Sequence, residues 1–330
     1  MTVNPVYMSW ATRALEAYGL TDAALAYLGH NENLTFRVAD PRNGSAYLLR
    51  LHRPVSAAFV GMRQRPDVIA SECAWLEAIA RDTPLAVQAP VRSLSGESVS
   101  HVASDDDSIP ASLLRWLDGQ PFRRDAPDAD EHATALGTLV ARLHDHAAHW
   151  TPPEGFARPA YDLAYYRDQL SHLPDFAARG IVSLEELDTL RRTADAILAA
   201  VESLVVSPAS WGLIHADLHA GNLLLHNDEL RAIDFSLCGF GFFAFDLATA
   251  LLALDPTHRN TALAAYAALR SPPSDAGLAL DACALLSRLG AYVYMLPNAA
   301  QRDWLRERVP RFVASECLSF LRGEPVFSLM

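Results

Sequence analysis

Asp217, Asn222 and Asp234 are the residues of this chain best placed to do chemistry together. They lie in Leu213-Ile214-His215-Ala216-Asp217-Leu218-His219-Ala220-Gly221-Asn222-Leu223-Leu224-Leu225 and, shortly after, Ala232-Ile233-Asp234-Phe235. Carboxylate and amide oxygens are hard ligands, and Mg²⁺ takes only one or two carboxylates from protein, keeping its other positions for phosphate oxygens and water. A second kind of carboxylate, set at an incoming hydroxyl, orients it and accepts its proton late in a loose phosphoryl-transfer transition state. The pattern therefore predicts phosphoryl transfer from a nucleotide, with Asp217 at the hydroxyl and Asn222 and Asp234 as metal ligands. Taken singly, each would be an ordinary turn residue. Their occurrence together between apolar runs favours the chemistry. His215-x-Asp217-x-His219 also has the residue types of a zinc site, but no second His, Cys or Asp cluster in the sequence completes one.

Elements on either side must hold these residues. Before them, residues 9–18 space Trp10, Ala14, Ala17 and Tyr18 as a helix that stops at Gly19. Residues 24–51 read as short β runs, with a turn at Asp40-Pro41-Arg42-Asn43-Gly44 joining two strands of a hairpin. A helix over 67–81 carries Ile69, Cys73, Leu76 and Ile79 or Ala80 as a stripe, leaving Glu72 on a different face from Leu76. Residues 87–94, 98–103 and 111–117 read as further strands, which makes five strands and one inserted helix. Asp118-Gly119-Gln120-Pro121 breaks the pattern and predicts a hinge between residues 1–118 and 119–330. Beyond it, helices are predicted near 130–146, 163–173, 184–204, 245–254, 259–269, 278–295 and 303–321, with strand-like runs only around the Asp217 segment.

His215-x-Asp217-x-x-x-x-Asn222, Ile233-Asp234-Phe235, Gly239-x-Gly241 and Asp246-Leu247-Ala248 together resemble the aminoglycoside phosphotransferase and choline kinase family. Members of that family have the bilobal protein-kinase fold. Weaker resemblance runs through Glu32–Val38, Leu48–Pro54 and Leu136–His144, so it covers roughly residues 25–255. It is strongest to homoserine-kinase-like and stress-response-kinase-like bacterial proteins. The resemblance implies an α+β fold: a nucleotide-binding N-terminal lobe built on the five-stranded antiparallel sheet, and a larger, mainly helical lobe for catalysis and acceptor binding. It implies ATP and Mg²⁺ as cofactors. His215 is expected to brace the loop and Asp246 to support it from the next helix, while His219 has two readings, contact with phosphate or substrate, or a hydrogen bond within the loop. Arg50 stands where the family usually has a Lys that reaches the phosphates and pairs with a helix Glu, here Glu72. Arg keeps the charge in a different geometry; the rival reading is a plain strand-surface arginine. Asn31 lies in the turn Gly29-His30-Asn31-Glu32-Asn33, which lacks a Gly-x-Gly-x-x-Gly pattern, and Trp116 and Leu117 on the hinge strand are expected to offer backbone groups to the adenine edge.

Bulk properties narrow the function classes. The 330 residues are 51% hydrophobic, which excludes wholesale disorder and suffices for two cores. A net charge of −12 opposes encounter with a nucleic-acid backbone and suits a cationic acceptor. Cys73, Cys238, Cys283 and Cys317 are far apart, without a Cys-x-x-Cys pair, and read as thiols in a reducing compartment. No basic leader opens the sequence and no eighteen apolar residues run together, so the expectation is a soluble cytoplasmic protein without membrane partner. The leading reading is a kinase for a hydroxyl-bearing small molecule. The alternatives are a protein serine/threonine kinase of the stress-response type and a nucleotide-sensing pseudokinase, the latter motivated by Arg50 and the glycine-poor turn.

Overall fold

The computed structural model describes residues 4–30, 33–54, 64–103, 108–125, 128–272 and 276–326. The chain forms two compact units. One is Met1–Gly119 with Thr151–Arg158 and Arg231–Leu237, and the other is Gln120–Trp150 with Pro159–Leu230 and Cys238–Met330.

In the first unit, helix α1 (Pro5–Glu16) starts where the Asn4 side chain accepts the Val6 amide at 3.0 Å and Pro5 fills the first turn, where its missing N–H is no loss. Its buried face, Trp10, Ala11, Ala14 and Leu15, packs on one side of a sheet. That sheet contains β1 (Ala24–His30), β2 (Leu34–Ala39), β3 (Ala46–Leu51), β4 (Pro90–Val91), β5 (Ser100–Ala103) and β6 (Ser108–Arg115). The strand order is β1-β2-β3-β6-β4, β5 also pairs with β6, and every pairing is antiparallel. Leu34, Phe36 and Val38 alternate inward along β2, as a half-buried strand requires.

The sheet thus has six strands where the sequence pattern predicts five. β1 leaves Tyr27 and Leu28 exposed, so its alternation carries little core signal. The strand predicted over 87–94 contracts to two residues around Pro90, which has no N–H for a ladder. Helix α2 (Pro66–Asp82) buries Val68, Ile69, Glu72, Cys73, Trp75, Leu76 and Ile79. This is wider than one stripe, so Glu72, on a different face from Leu76, is buried as well.

The second unit contains β7 (Gln120–Pro121), α3 (Ala129–His149), α4 (Leu163–Leu170), α5 (Pro174–Ala178), α6 (Leu184–Glu202), β8 (Trp211–Ile214) and β9 (Leu223–His226). After β10 (Glu229–Ala232), which straddles the division between units, come β11 (Gly239–Phe242), α7 (Phe243–Leu252), α8 (Arg259–Ala267), α9 (Ala276–Met295), α10 (Arg302–Phe312) and α11 (Leu318–Leu321). β7 pairs with β9 and β8 with β11. The α6 N-terminus is fixed by a reciprocal cap, in which Ser183 accepts the Glu186 amide and Glu186 accepts the Ser183 amide at 2.7 Å. Residues 277–295 of α9 are long and apolar enough to cross a membrane, with mean hydropathy 1.3. Here Ala282, Leu285, Leu286 and Leu289 of that helix lie in the core against α6 and α10. The single helix predicted over 303–321 divides at a π turn, Val313–Cys317, just past Pro310, which cannot donate within the helix. α3 and α8 cross so closely at Gly137 that a Cβ there would run into the Ala262 carbonyl.

Candidate active site

β8 and β9 hold the loop that carries Asp217. The chain leaves β8 through His215, which is fully buried, and Ala216, whose φ of 66° lies in the left-handed region. A non-glycine residue pays for this conformation and keeps it only where the surroundings impose it. Asp246, on the first turn of α7, imposes it here. Its Oδ2 accepts the His215 N–H at 2.9 Å and its Oδ1 the Ala216 N–H at 2.8 Å. The carboxylate is fully buried; burial works against its charge, but hydrogen bonding and the proximity of His144 and His215 outweigh that and hold its pKa below the ordinary carboxylate value. His144 on α3 lies 3.3 Å from Asp246 Oδ2 through Nε2 and 3.0 Å from the Tyr266 hydroxyl through Nδ1. One tautomer satisfies both contacts: Nε2–H donates to Asp246 and Tyr266 donates to Nδ1. Burial lowers the His144 pKa, consistent with a neutral ring.

Asp217 itself is part-buried, with 35% of its side chain exposed. Asn222, at the end of the 3₁₀ turn Ala220–Asn222, donates from Nδ2 to Asp217 Oδ2 at 2.8 Å and to the Asp217 carbonyl at 3.0 Å. With the NH₂ end spent on two acceptors, Asn222 Oδ1 is the end left for a cation. His219 accepts the Gly221 N–H on Nδ1 at 3.0 Å and places Nε2 3.5 Å from Asp217 Oδ2. His215 Nδ1 accepts the Asp217 N–H at 3.3 Å. Both histidines thus accept a backbone N–H within the loop, and the His219 side chain, 56% exposed, keeps its Nε2 edge beside Asp217.

Asp234 belongs to the other unit, with Arg50 and Glu72. Arg50 on β3 is 3% exposed and donates from Nη2 to Glu72 Oε1 on α2 at 2.8 Å, so it is no surface arginine. Its Nη1 lies 4.0 Å from Asp234 Oδ1, and Asp234 is 53% exposed. Burial opposes the Arg50 charge, but Glu72 and then Asp234 outweigh it and raise its pKa. Arg50 Nε is buried without a hydrogen-bond partner among the described residues, so the guanidinium uses only part of its fork. Asp234 takes φ 62° and donates its N–H to Gln88 Oε1 at 3.2 Å, while Phe235 meets the Trp75 ring of α2 edge-on at 5.5 Å.

The remaining expected site residues fall as follows. Asn31 lies outside the described residues. β6 ends at Arg115, and the Trp116 N–H is already given to the Ala46 carbonyl at 3.1 Å, so that donor is not open to an adenine edge. Leu117 follows outside any strand. No group of three or more His, Cys, Asp or Glu suited to a metal is assembled among the described residues. Sequence reasoning did not single out His144, Tyr266 or Gln88 of these networks. His144 ends the Leu136–His144 run and Tyr266 lies in the helix predicted over 259–269, where an apolar helical register hid their polar tasks; Gln88 lies in the strand-like run 87–94, whose pattern says nothing of a partner at Asp234.

The chain matches the family model described as "Phosphotransferase enzyme family" over residues 25–286. It belongs to this family. Among curated relatives, the amicoumacin kinase of Bacillus subtilis (strain 168) is 24% identical over 241 residues, 72% of this chain and 65% of the relative. A homoserine kinase of Rhodospirillum rubrum is 31% identical over 242 residues, 68% of this chain and 66% of the relative. The matched region thus spans less than two thirds of these relatives' lengths. Among solved structures, a microcompartment-associated aminopropanol kinase has a TM-score of 0.76 at 25% identity, covering 96% of this chain and 98% of the other. The antiparallel sheet with its inserted helix, followed by the helical unit, is the kinase-like α+β fold of this phosphotransferase family.

Proposed function

We propose that the protein is an ATP- and Mg²⁺-dependent phosphotransferase that phosphorylates a hydroxyl of a small molecule. The observation that carries the proposal is the Asn222 bridge to Asp217. One amide fixes the carboxylate expected to meet the acceptor hydroxyl and turns its own oxygen away for a cation. Asp217 would accept the hydroxyl's hydrogen bond, aim the oxygen at the phosphorus and take the proton late, for which a carboxylate of ordinary basicity suffices. The donor set fits Mg²⁺: Asn222 Oδ1 and the half-exposed Asp234 carboxylate are hard oxygens, and Mg²⁺ takes few protein ligands. When bound, Mg·ATP supplies the phosphoryl group and the charge neutralisation its transfer needs. In the first unit, Arg50, held by Glu72, presents positive charge beside Asp234, and Leu117 backbone groups serve the base. That unit is assigned to the nucleotide, and the second unit to catalysis and the acceptor.

The acceptor class we favour is an amino alcohol. Homoserine and aminopropanol, named in two of the matches, both carry an amine and a hydroxyl on one short carbon chain, and a net charge of −12 favours an ammonium group on the acceptor. A cytoplasmic location belongs to the same proposal. The test is ADP release from Mg·ATP across a panel of amino alcohols, amino-group-free alcohols, aminoglycosides and a generic protein substrate. Acceptor-dependent turnover with an amino alcohol is expected. Turnover only with protein substrate would replace the reading by a protein kinase, and nucleotide binding without turnover on any acceptor would replace it by a pseudokinase.

A further inference from the structure

The segment Thr151–Arg158 leaves the helical part of the sequence and clusters with the first unit. It ends in an arginine that is 8% exposed. Arg158 Nη1 donates to the Val68 carbonyl at 3.3 Å, one turn before Glu72 on α2. Its Nη2 donates to the Ser236 carbonyl at 2.6 Å, two residues after Asp234. Next to it, the Ala157 N–H donates to Ser71 Oγ at 2.8 Å, and Ser71 donates in turn to the Asp67 carbonyl at 2.7 Å, so this strap also grips the first turns of α2. A buried guanidinium is costly unless its donors are used, and here it spans two backbone carbonyls on two different segments. One segment carries Glu72, the partner of Arg50. The other is the left-handed turn that carries Asp234. Burial lowers the pKa of neighbouring His52 well below its usual value, and the charges of Arg50 and then Arg158 push it further down, so the ring there stays neutral.

We infer that Arg158 is a positioning residue: its fork clasps α2 to the Asp234 turn and so sets the Asp234 carboxylate for its metal task. The inference rests on the proposed Mg²⁺ role of Asp234. Only a planar fork reaches both carbonyls at once; a lysine ammonium is a single point on a flexible stem.

The experiment uses the full chain and compares wild type, Arg158→Ala, Arg158→Lys and Ser71→Ala. ATP affinity is measured by titration calorimetry with and without Mg²⁺, and amide hydrogen exchange is followed over residues 66–72 and 235–237. For Arg158→Ala the expected result is a loss of about tenfold in Mg²⁺-supported ATP affinity, the scale on which partners that orient metal ligands act. Metal-free ATP affinity and acceptor KM should stay near wild type, and exchange should quicken in both segments. Arg158→Lys should recover little of the loss. Ser71→Ala, which removes only the strap's second grip, should move the same way by less and serves if the arginine variants fold poorly. Unchanged Mg²⁺ dependence in Arg158→Ala and Ser71→Ala overturns the clasp, even if thermal stability falls. Wild type without Mg²⁺-supported ATP binding overturns the functional reading, and with it the task given to the clasp, while quickened exchange would still report the contact itself.

Discussion

Replacing Asp246 by Asn tests how the Asp217 loop is held, because the geometry fixes what an isosteric amide can and cannot do. Both carboxylate oxygens act as acceptors: Oδ1 for Ala216 N–H, Oδ2 for His215 N–H and for His144 Nε2–H. An amide has one accepting end, so in either orientation its NH₂ faces a donor. The lower-cost orientation puts the oxygen at the doubly used position and leaves the Ala216 N–H confronting another donor in a part-buried contact against the fully buried Asp246. A buried donor left unsatisfied costs about 1–3 kcal/mol. Asp246→Ala, which removes all three acceptances, should cost about 3–5 kcal/mol, the scale of a buried charged network losing one member. The residue freed in Asp246→Asn is the one at φ 66°, immediately before Asp217. Its relaxation should misplace the carboxylate and lower kcat on the order of a hundredfold, as misplacements of about 1 Å do. Urea unfolding gives the stability term and steady-state turnover on the best acceptor gives the rate term. An Asp246→Asn protein with wild-type midpoint and wild-type kcat would refute the argument that the carboxylate holds the loop through both oxygens.

Further outcomes follow from the same contacts. Asp217→Asn should leave Mg·ATP binding in calorimetry nearly intact while turnover falls at least about a hundredfold; retention of a third of kcat sinks its assignment. Asn222→Ala should both weaken Mg²⁺-supported ATP binding and lower kcat, because it loses the metal oxygen and the bridge to Asp217 together; an effect on one alone contradicts the dual role. Arg50→Ala strands Glu72 as a buried, unpaired carboxylate and should destabilise by about 3–5 kcal/mol in chemical denaturation, whereas Arg50→Lys keeps the pair and should recover most of it. His52, whose folded pKa lies well below its unfolded value because of burial and of Arg50 and Arg158, stays neutral when the unfolded chain takes up a proton. Its contribution is therefore full above pH about 6.5 and is lost as pH falls, at up to about 1.4 kcal/mol per pH unit. Unfolding midpoints of wild type and His52→Gln from pH 7 to 5 check this, the variant having the shallower acid slope.

The contact between Asp217 and Asn222 was legible in sequence because it depends on short spacing. Asp217 and Asn222 meet within one turn, and residue types five positions apart already state that contact. The fold class was legible for a similar reason, since the short β runs Phe36–Val38 and Tyr47–Leu51 and the long apolar helical stripes are local. Long-range polar contacts were not. His144 meets Asp246 across 102 positions and Arg158 meets Val68 across 90, and nothing in the local pattern of either residue announces its partner. α2 is covered on more than the face its apolar stripe defines, so the stripe alone says nothing of the burial of Glu72. The contraction of the 87–94 strand shows that β-rich composition does not fix ladder length when a proline interrupts the donors.

The crossing of α3 and α8 at Gly137 reaches further than its apolar surroundings suggest. α8 carries Tyr266 and α3 carries His144, and their hydrogen bond is possible only at the interaxial distance that a side-chain-free position allows. Any larger residue at 137 acts as a wedge driven between the two helices, prising the tyrosine from the histidine and slackening the support behind Asp246. In a saturation-mutagenesis survey selected for turnover, position 137 should thus behave as a forbidden site, intolerant even of alanine, although it touches neither nucleotide nor acceptor. Sequence drift in this protein is constrained by the thickness of one methyl group at a position remote from Asp217.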